Sequence, residues 1–238
     1  MRTDEGIKRT RFVSFSGIDG AGKTTQIRRF CSRIERAGLR CSLVSFWDDV
    51  AQFKGLREGA AHVIFKGERG VGTPEAPVAR RDKNIRSWPM TAIRLFIYMA
   101  DAISTRFVMR RFLRSNADVV IFDRFTYDEL ANLNLENAFM RAYARAIIKL
   151  APQPHISFLL DADPAKACAR KPEYPLSFLQ FSRKSYLKLS KLVECMTVIA
   201  PGPADEVEQE VLKSAETALS VGPVRDTVDR GERLVESA

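Results

Sequence analysis

Short apolar runs alternate with longer amphipathic stretches along most of the chain. The apolar runs are rich in Val, Ile and Phe, are bounded by polar residues, and lie at residues 11–16, 40–46, 118–123, 155–161 and 196–200. Parallel strands buried on both faces have this composition. The longer stretches are predicted helices, at residues 22–37, 91–114, 136–150, 163–170, 176–194 and 204–219. The alternation predicts an α/β fold with three layers, in which helices flank a five-stranded parallel sheet.

Three segments fall outside this alternation. Residues 1–10 and 220–238 are predicted to be tails, which leaves one domain over residues 11–219. Residues 67–87 contain three glycines, two prolines and several basic side chains without any periodicity. A structureless stretch of this length inside a compact domain usually serves a function, so it is predicted to be an irregular basic loop.

The charge and composition of the chain indicate what kind of partner it binds and in which compartment it is expected. The net charge of +9 indicates an anionic partner, and charge alone does not separate nucleic acid from a small phosphorylated ligand. No apolar run approaches the ~20 residues of a membrane-spanning helix, so no membrane contact is expected. The charged N-terminal stretch lacks a secretory signal, which favours a cytoplasmic location. The four cysteines are widely spaced and are expected to be reduced.

A glycine-rich motif carries the clearest chemical signal. Residues 17–24 match the pattern G-x-x-x-x-G-K-S/T, with an apolar run before them and a predicted helix after them. Glycines allow the backbone N–H groups to curl around phosphate oxygens, while Lys23 would reach the β- and γ-phosphates. The Thr24 hydroxyl would ligate Mg²⁺. The predicted nucleotide-binding residues are Gly17, Ile18, Asp19, Gly20, Ala21, Gly22, Lys23, Thr24 and Thr25.

A second strand end supports the same chemistry. The apolar run at 118–123 ends in Asp123, which would approach the Mg²⁺ ion of a bound nucleotide. Arg124 follows directly and would place a cation where a phosphoryl group is transferred. Thr24 and Asp123 are therefore the predicted metal ligands.

Three motifs in order make the chain similar to the thymidylate kinases, a family of P-loop nucleoside monophosphate kinases. They are GIDGAGKTTQ at 17–26, Asp-Arg-Phe at 123–125 and Leu-Asp-Ala-Asp-Pro at 160–164, followed by Arg170. The similarity covers roughly residues 10–220 and implies a P-loop NTPase fold.

The resemblance also implies roles for individual residues. ATP would be the phosphoryl donor, with Lys23 on the transferring phosphate and Asp19 near the acceptor and the metal. Arg124 would grip the acceptor phosphate, where a bidentate guanidinium suits a phosphate dianion. Arg170 would start a short lid at about 170–175 and bring positive charge to the transition state. These four residues are the predicted catalytic set.

The acceptor side departs from the family pattern. Tyr98 and Asp101 match a family aromatic residue and acid, but Ala102 stands where the family has a base-reading arginine. The acceptor-binding residues implied by the resemblance are Tyr98, Asp101, Arg124 and Tyr127. For Tyr98, packing in the core is an equally open interpretation.

Two more departures lie close to the motifs. Residues 46–50 read Phe-Trp-Asp-Asp-Val where the family has Arg-Glu-Pro. Asp128 and Glu129 follow the Asp-Arg-Phe motif, and carboxylates beside an anionic acceptor are unfavourable unless they meet a cation or sugar hydroxyls. The basic loop at 67–87, with Arg80 and Arg81, would either clamp the acceptor or form a solvated surface.

These observations predict a Mg-ATP-dependent nucleoside monophosphate kinase that acts on dTMP or a related monophosphate. One alternative is a P-loop kinase for another acceptor, namely a nucleoside, a sugar or a nucleic-acid end. Another is a nucleotide-dependent module that binds nucleic acid through its basic surface. Family members often pair as homodimers through helices, and the apolar helix at 91–114 would suit that role.

Overall fold

The computed structural model describes residues 10–51 and 88–220. The basic loop predicted at 67–87, with Arg80 and Arg81, lies outside these residues. So do residues 1–9 and 221–238 of the two predicted tails.

Five parallel strands form the central sheet. They are β1 (Arg11–Ser16), β2 (Cys41–Ser45), β3 (Val119–Asp123), β4 (Ile156–Leu160) and β5 (Met196–Ile199). Their order across the sheet is β2-β3-β1-β4-β5, and every neighbouring pair runs parallel. The predicted five-stranded parallel sheet and its α/β fold class are therefore confirmed.

Helices connect the strands. They are α1 (Lys23–Arg36), α2 (Trp88–Leu113), α3 (Thr126–Leu130), α4 (Ala138–Leu150), α5 (Pro164–Arg170), α6 (Leu176–Leu189) and α7 (Ala204–Ser220). A π-helical turn, Phe46–Val50, follows β2. The sequence did not predict this turn or α3, because five residues are too few to show a helical period.

Two apolar layers cover the sheet because successive side chains of a strand point to opposite faces. On one face, Val13 and Phe15 of β1 pack with Ile27 and Phe30 of α1. On the other, Phe12 of β1 belongs to a second cluster that includes residues of α2, α3, α4 and α6. Burial of each such side chain stabilises the fold by roughly 1.5–3 kcal/mol. This double covering explains why the strands read as uninterrupted apolar runs.

Parallel pairing brings the carboxyl ends of the strands to one edge of the sheet. Phe15 of β1 lies opposite Asp123 of β3 on one side and Phe158 of β4 on the other. Ser45 of β2 also lies opposite Asp123. The segments that follow β1, β2, β3 and β4 therefore emerge together, which is where open α/β sheets bind ligands.

The cysteines correct one expectation. Cys31 of α1 and Cys41 at the start of β2 form a disulfide, with their Cα atoms 6.0 Å apart. Gly38, with φ of 77°, turns the chain between the two elements and so brings the cysteines together. The prediction of reduced cysteines is wrong for this pair, whereas Cys168 and Cys195 are free. Within residues 10–51 and 88–220, none of the helices combines the length and the apolar character needed to cross a membrane.

Candidate active site

The glycine-rich motif forms the loop between β1 and α1. Gly17 has φ of 142° and Gly20 has φ of 82°, a region of backbone space that residues with a side chain rarely adopt. A Cβ atom on Gly17 would lie 2.6 Å from the carbonyl oxygen of Leu160, and one on Gly20 would lie 2.5 Å from that of Ala167. Both positions therefore require glycine, which allows the loop to curl against β4 and α5.

Lys23 is folded back into this loop. Its Nζ donates hydrogen bonds to the carbonyl oxygens of Gly17 at 2.8 Å and Ile18 at 2.9 Å. Burial lowers the pKa of Lys23 to about 8, and the charge of Arg124 acts in the same direction. Nearby carboxylates, Asp19 foremost, act to raise this pKa but do not outweigh burial, and an anionic ligand would raise it further.

Thr24 and Asp123 supply oxygen donors beside this lysine. Thr24 is exposed in the first turn of α1, and Asp123 is half-buried at the end of β3. Asp123 raises the pKa of Lys23, so its charge acts at this site. Groups of three or more His, Cys, Asp or Glu that would hold a metal ion do not occur in the part of the chain that the structure describes. Mg²⁺ is often bound by one or two protein oxygens together with substrate phosphates and water, so this pair fits it.

Arg124 lies between two carboxylates. Its Nη2 group forms an ion pair with Asp19, and its Nη1 group lies 3.3 Å from Oδ1 of Asp128. Burial alone would lower the pKa of Arg124, but the neighbouring carboxylates, Asp128 foremost, raise it. Burial likewise acts to raise the pKa of Asp19, but Arg124 and then Lys23 outweigh it and lower that pKa. Asp19 and Arg124 therefore stay charged at neutral pH.

Asp128 is the best-connected polar side chain of the site. It is 3% exposed and accepts hydrogen bonds from the hydroxyl groups of Ser16 and Tyr186 and from the backbone of Phe125, besides Arg124. The extra carboxylate that the sequence placed beside an anionic acceptor thus meets a cation. Sequence reasoning noted Asp128 as a departure and assigned it no role.

A small cavity adjoins the Asp19, Arg124 and Asp128 group. Its aromatic walls are Trp47 from the π-helical turn and Phe178 from α6. The other lining residues are Gly17, Ile18, Ala131, Asn132, Leu179, Ser182 and Tyr186. Aromatic faces over a charged group would accept a planar apolar ring that carries an anion. In the sequence, Trp47 is part of the departure from the family pattern at residues 46–50.

A second cleft lies on the other side of the loop. It is bordered by Ala21, by Asp161 and Arg170, and by Gly202 and Pro203 after β5. Arg170, the last residue of α5, lines this cleft and donates to the carbonyl oxygen of its own helix at Lys166, 3.3 Å away. Arg170 thus lines this second cleft and not the cavity beside Arg124.

The chain between α5 and α6 corresponds to the predicted lid at about 170–175. Lys171, directly after Arg170, helps to lower the pKa of Asp19, so its charge acts within the site. At the far side, Arg183 of α6 binds Asp161 through two hydrogen bonds of 2.7 Å. This bidentate ion pair ties α6 to the end of β4.

Three of the predicted acceptor-binding residues are buried away from this cavity. Tyr127 is 1% exposed, and its hydroxyl lies 3.6 Å from Sγ of Cys195. Tyr98 is 8% exposed in the core and Asp101 is fully buried. None of the three lines the cavity beside Arg124. For Tyr98 the structure matches the core-packing interpretation.

Comparisons with known proteins place the chain beside one group. No protein-family model matches it. It is 24% identical over 207 residues to a probable thymidylate kinase of Methanosphaera stadtmanae, an alignment that covers 85% of this chain and 95% of that protein. It is 26% identical to a thymidylate kinase of Symbiobacterium thermophilum, over 87% of this chain and 94% of that protein. A probable thymidylate kinase of Pyrococcus abyssi is 26% identical, over 84% of this chain and 93% of that protein.

Proposed function

We propose that this chain, a divergent thymidylate-kinase-like enzyme, transfers the γ-phosphoryl group of Mg-ATP to a nucleoside monophosphate, dTMP or a close relative. The observation that carries the proposal is the arrangement of two cations around one loop. Lys23 lies inside the glycine-rich loop, and Arg124 faces the same loop through Asp19. Kinases of nucleoside monophosphates need positive charge at both the donor and the acceptor phosphates, and this pair supplies it.

On the donor side, the loop between β1 and α1 would bind the ATP phosphates. The carbonyl oxygens of Gly17 and Ile18 now accept from Lys23, and phosphate oxygens would take their place. The backbone N–H groups at the start of α1 and the dipole of that helix favour the same negative charge. Thr24 and Asp123 would hold Mg²⁺, which supplies further charge neutralisation when it is bound.

On the acceptor side, Arg124 would bind the monophosphate with Asp19 exchanged for the incoming anion. The acceptor phosphate has a second pKa near 6, so it is ionised at neutral pH and needs no dedicated base. Its oxygen would attack the γ-phosphorus in line while the bond from that phosphorus to the β-phosphate's bridging oxygen breaks and ADP leaves, so no covalent enzyme intermediate is required. Trp47 and Phe178 would flank the nucleoside. Ala102 leaves the base without an arginine contact, which is consistent with altered base selectivity.

The proposed function also involves closure of the predicted lid at residues 170–175. Arg170 ends α5 and Lys171 follows it, at the start of the predicted lid of 170–175. Closure of this segment would bring their charge toward the transferring phosphoryl group and exclude water.

A phosphorus NMR assay tests the proposal. The chain is incubated with ATP, Mg²⁺ and each member of a panel of monophosphates, nucleosides and sugars, and the product that gains a phosphoryl group is identified. We expect a nucleoside diphosphate from dTMP or a related monophosphate. Lys23→Ala serves as the matched inactive control. The absence of any phosphorylated product in the whole panel would contradict the proposal.

One observation favours a different acceptor for the same donor chemistry. Arg124 already meets two carboxylates, Asp19 and Asp128, so its charge is compensated before any ligand arrives. A neutral hydroxyl of a nucleoside or sugar would fit beside Arg124 without displacing Asp19 or Asp128. Transfer to nucleosides but not to monophosphates in the same panel would establish this alternative.

We further propose that the chain pairs with a second copy through α2. Met99, Ile103 and Phe107 recur at four-residue spacing on this helix and are 38%, 42% and 63% exposed. Apolar stripes of this kind usually mark an interaction surface. Sedimentation analysis should give a dimer, and Phe107→Asp should shift it toward monomer. A monomer at all concentrations of the unaltered chain would contradict this part of the proposal.

A further inference from the structure

Asp128 is the buried carboxylate beside Arg124, and its two oxygens accept four hydrogen bonds. Oδ2 accepts from the Ser16 hydroxyl at 2.6 Å and from the Phe125 N–H at 2.9 Å. Oδ1 accepts from the Tyr186 hydroxyl at 2.7 Å and from Nη1 of Arg124 at 3.3 Å. A carboxylate with this many donors is fixed in place, because hydrogen bonds to an ionised group are short and strong.

The four donors come from three parts of the site. Ser16 ends β1 directly before the glycine-rich loop, and Arg124 and Phe125 follow β3. Tyr186 belongs to α6, the helix after the predicted lid. Burial, and then the charge of Asp128, raise the pKa of Tyr186 well above its usual value, so its hydroxyl remains a donor at neutral pH. The Asp128 carboxylate therefore links the end of β1 before the glycine-rich loop, the turn that carries Arg124, and α6.

The two carboxylates that meet Arg124 differ in how firmly they are held. The side chain of Asp128 is 1% exposed, whereas that of Asp19 is 22% exposed. Asp128 has three donors besides Arg124, and it is the strongest single contributor that raises the pKa of Arg124. An incoming anion can thus replace Asp19 at Nη2 while Nη1 stays with Asp128.

We propose that Asp128 is a positioning residue, which holds the Arg124 guanidinium in a fixed orientation toward the acceptor and couples it to the lid helix through Tyr186. This inference rests on the proposed function, since it concerns the same acceptor phosphate. Asp128 touches no reacting atom and acts through Arg124.

Steady-state kinetics of Asp128→Asn test the inference. The asparagine amide lacks the negative charge of the Asp128 carboxylate and brings its own N–H donors toward the four donors already present. Arg124 therefore loses the ion pair that fixes its orientation. We expect the acceptor KM to rise about 10-fold or more, with the ATP KM within about twofold of the unaltered chain. Asp118→Asn is the matched control. Asp118 is also a buried carboxylate paired with an arginine, Arg40 at 3.1 Å, but it precedes β3 at the opposite edge of the sheet.

A double-mutant cycle separates positioning from general stabilisation. In the background of Arg124→Ala, Asp128→Asn should add no further increase in the acceptor KM, because the side chain it orients is gone. An increase as large as that in the unaltered chain would overturn the inference. Tyr186→Phe removes a single donor and should raise the acceptor KM about threefold in the same direction. If Asp128→Asn does not fold, the acceptor KM of Tyr186→Phe tests the inference instead.

The outcomes distinguish failure of the proposed function from failure of the inference about Asp128. An unaltered chain that transfers no phosphoryl group overturns the proposed function and, with it, this inference. An active chain whose acceptor KM does not respond to Tyr186→Phe, or to Asp128→Asn where that variant folds, overturns this inference alone.

Discussion

The proposed donor and acceptor sides of the site are built in different ways. The proposed donor side is mainly one contiguous segment, residues 17–24, whose glycines allow the backbone to curl around the Lys23 ammonium group. The acceptor side gathers single side chains from β1, the π-helical turn after β2, the turn after β3, and α6. The first side consists mostly of backbone groups and the second mostly of side chains.

This difference explains which side retains a recognisable motif. A backbone nest needs particular glycines at particular positions, because a Cβ at Gly17 or Gly20 would collide with neighbouring carbonyl oxygens. The acceptor side can exchange side chains as long as charges remain compensated. Here Asp128 and Arg124 compensate one another. Divergence in substrate choice can thus proceed on one side while the other stays fixed.

The largest effect is expected on the donor side. Lys23→Ala removes the only side-chain cation inside the glycine-rich loop among the described residues, and phosphoryl transfer should fall about 100- to 1,000-fold. Turnover and ATP affinity, measured with Mg²⁺ present, check this. The fold should persist, since the lysine's hydrogen bonds are to loop carbonyls. Turnover within twofold of the unaltered chain would contradict the donor-side assignment.

Arg124→Lys is expected to have a smaller effect, which is confined to the acceptor KM. Lysine keeps the charge but cannot meet two anions with parallel N–H groups, so the acceptor KM should rise about 10- to 100-fold. The ATP KM should change little. Initial rates at varied ATP and varied acceptor separate the two constants. An equal rise in both would mean that the two sides are not independent.

Trp47→Ala tests the aromatic wall of the acceptor side. Loss of one stacking face should raise the acceptor KM about 3- to 10-fold and leave ATP binding unchanged. The same two-substrate kinetics provide the measurement. Phe139→Ala, at an exposed position of α4, serves as a comparison for loss of an aromatic ring outside the cavity.

His155 offers a test that should affect neither side. It precedes β4, at the edge of the sheet opposite the site, and its Nδ1 accepts from the Phe12 N–H at 3.0 Å. Burial, and then the charge of Arg11, lower the pKa of His155 to about 4 from 6.5. The unfolded chain therefore binds a proton between pH 6.5 and pH 4 that the folded chain does not. Stability is fully present above pH 6.5 and is lost as the pH falls toward 4.

His155→Asn removes this titration and keeps an acceptor for Phe12. Its free energy of unfolding should fall less between pH 6.5 and 4 than that of the unaltered chain, by roughly 1–3 kcal/mol. Urea denaturation at several pH values measures the difference. Parallel pH dependences for the two chains would contradict the pKa given above, and the KM values for ATP and acceptor should be unchanged.

Much of the fold follows from local patterns. All five strands lie within the apolar runs, and six of the seven helices lie at the predicted stretches, because burial on both faces and helical periodicity leave clear traces. The glycine-rich loop was predicted because its chemistry requires fixed residue types at fixed spacing. Arg124 was predicted from its position directly after the strand that ends in Asp123, and the family resemblance added its role toward the acceptor phosphate.

The acceptor side shows what such patterns leave out. Nothing in the sequence relates Asp128 to Ser16 or Tyr186, which lie 112 and 58 residues away along the chain. Their contact depends on strand order and on the docking of α6, both of which are tertiary properties. The Cys31–Cys41 disulfide was missed for the same reason, since the turn at Gly38 determines their separation.

The backbone of Arg124 is left-handed, with φ of 70°. Among the residues that the structure describes, it is the one residue other than glycine with a positive φ. For a residue with a side chain this conformation costs about 1 kcal/mol. Glycine there would relax the main chain but would leave the buried Asp128 carboxylate without its cation, which costs more than the strain that is relieved. The two ion pairs of Arg124 therefore hold this turn in a conformation that its own backbone disfavours.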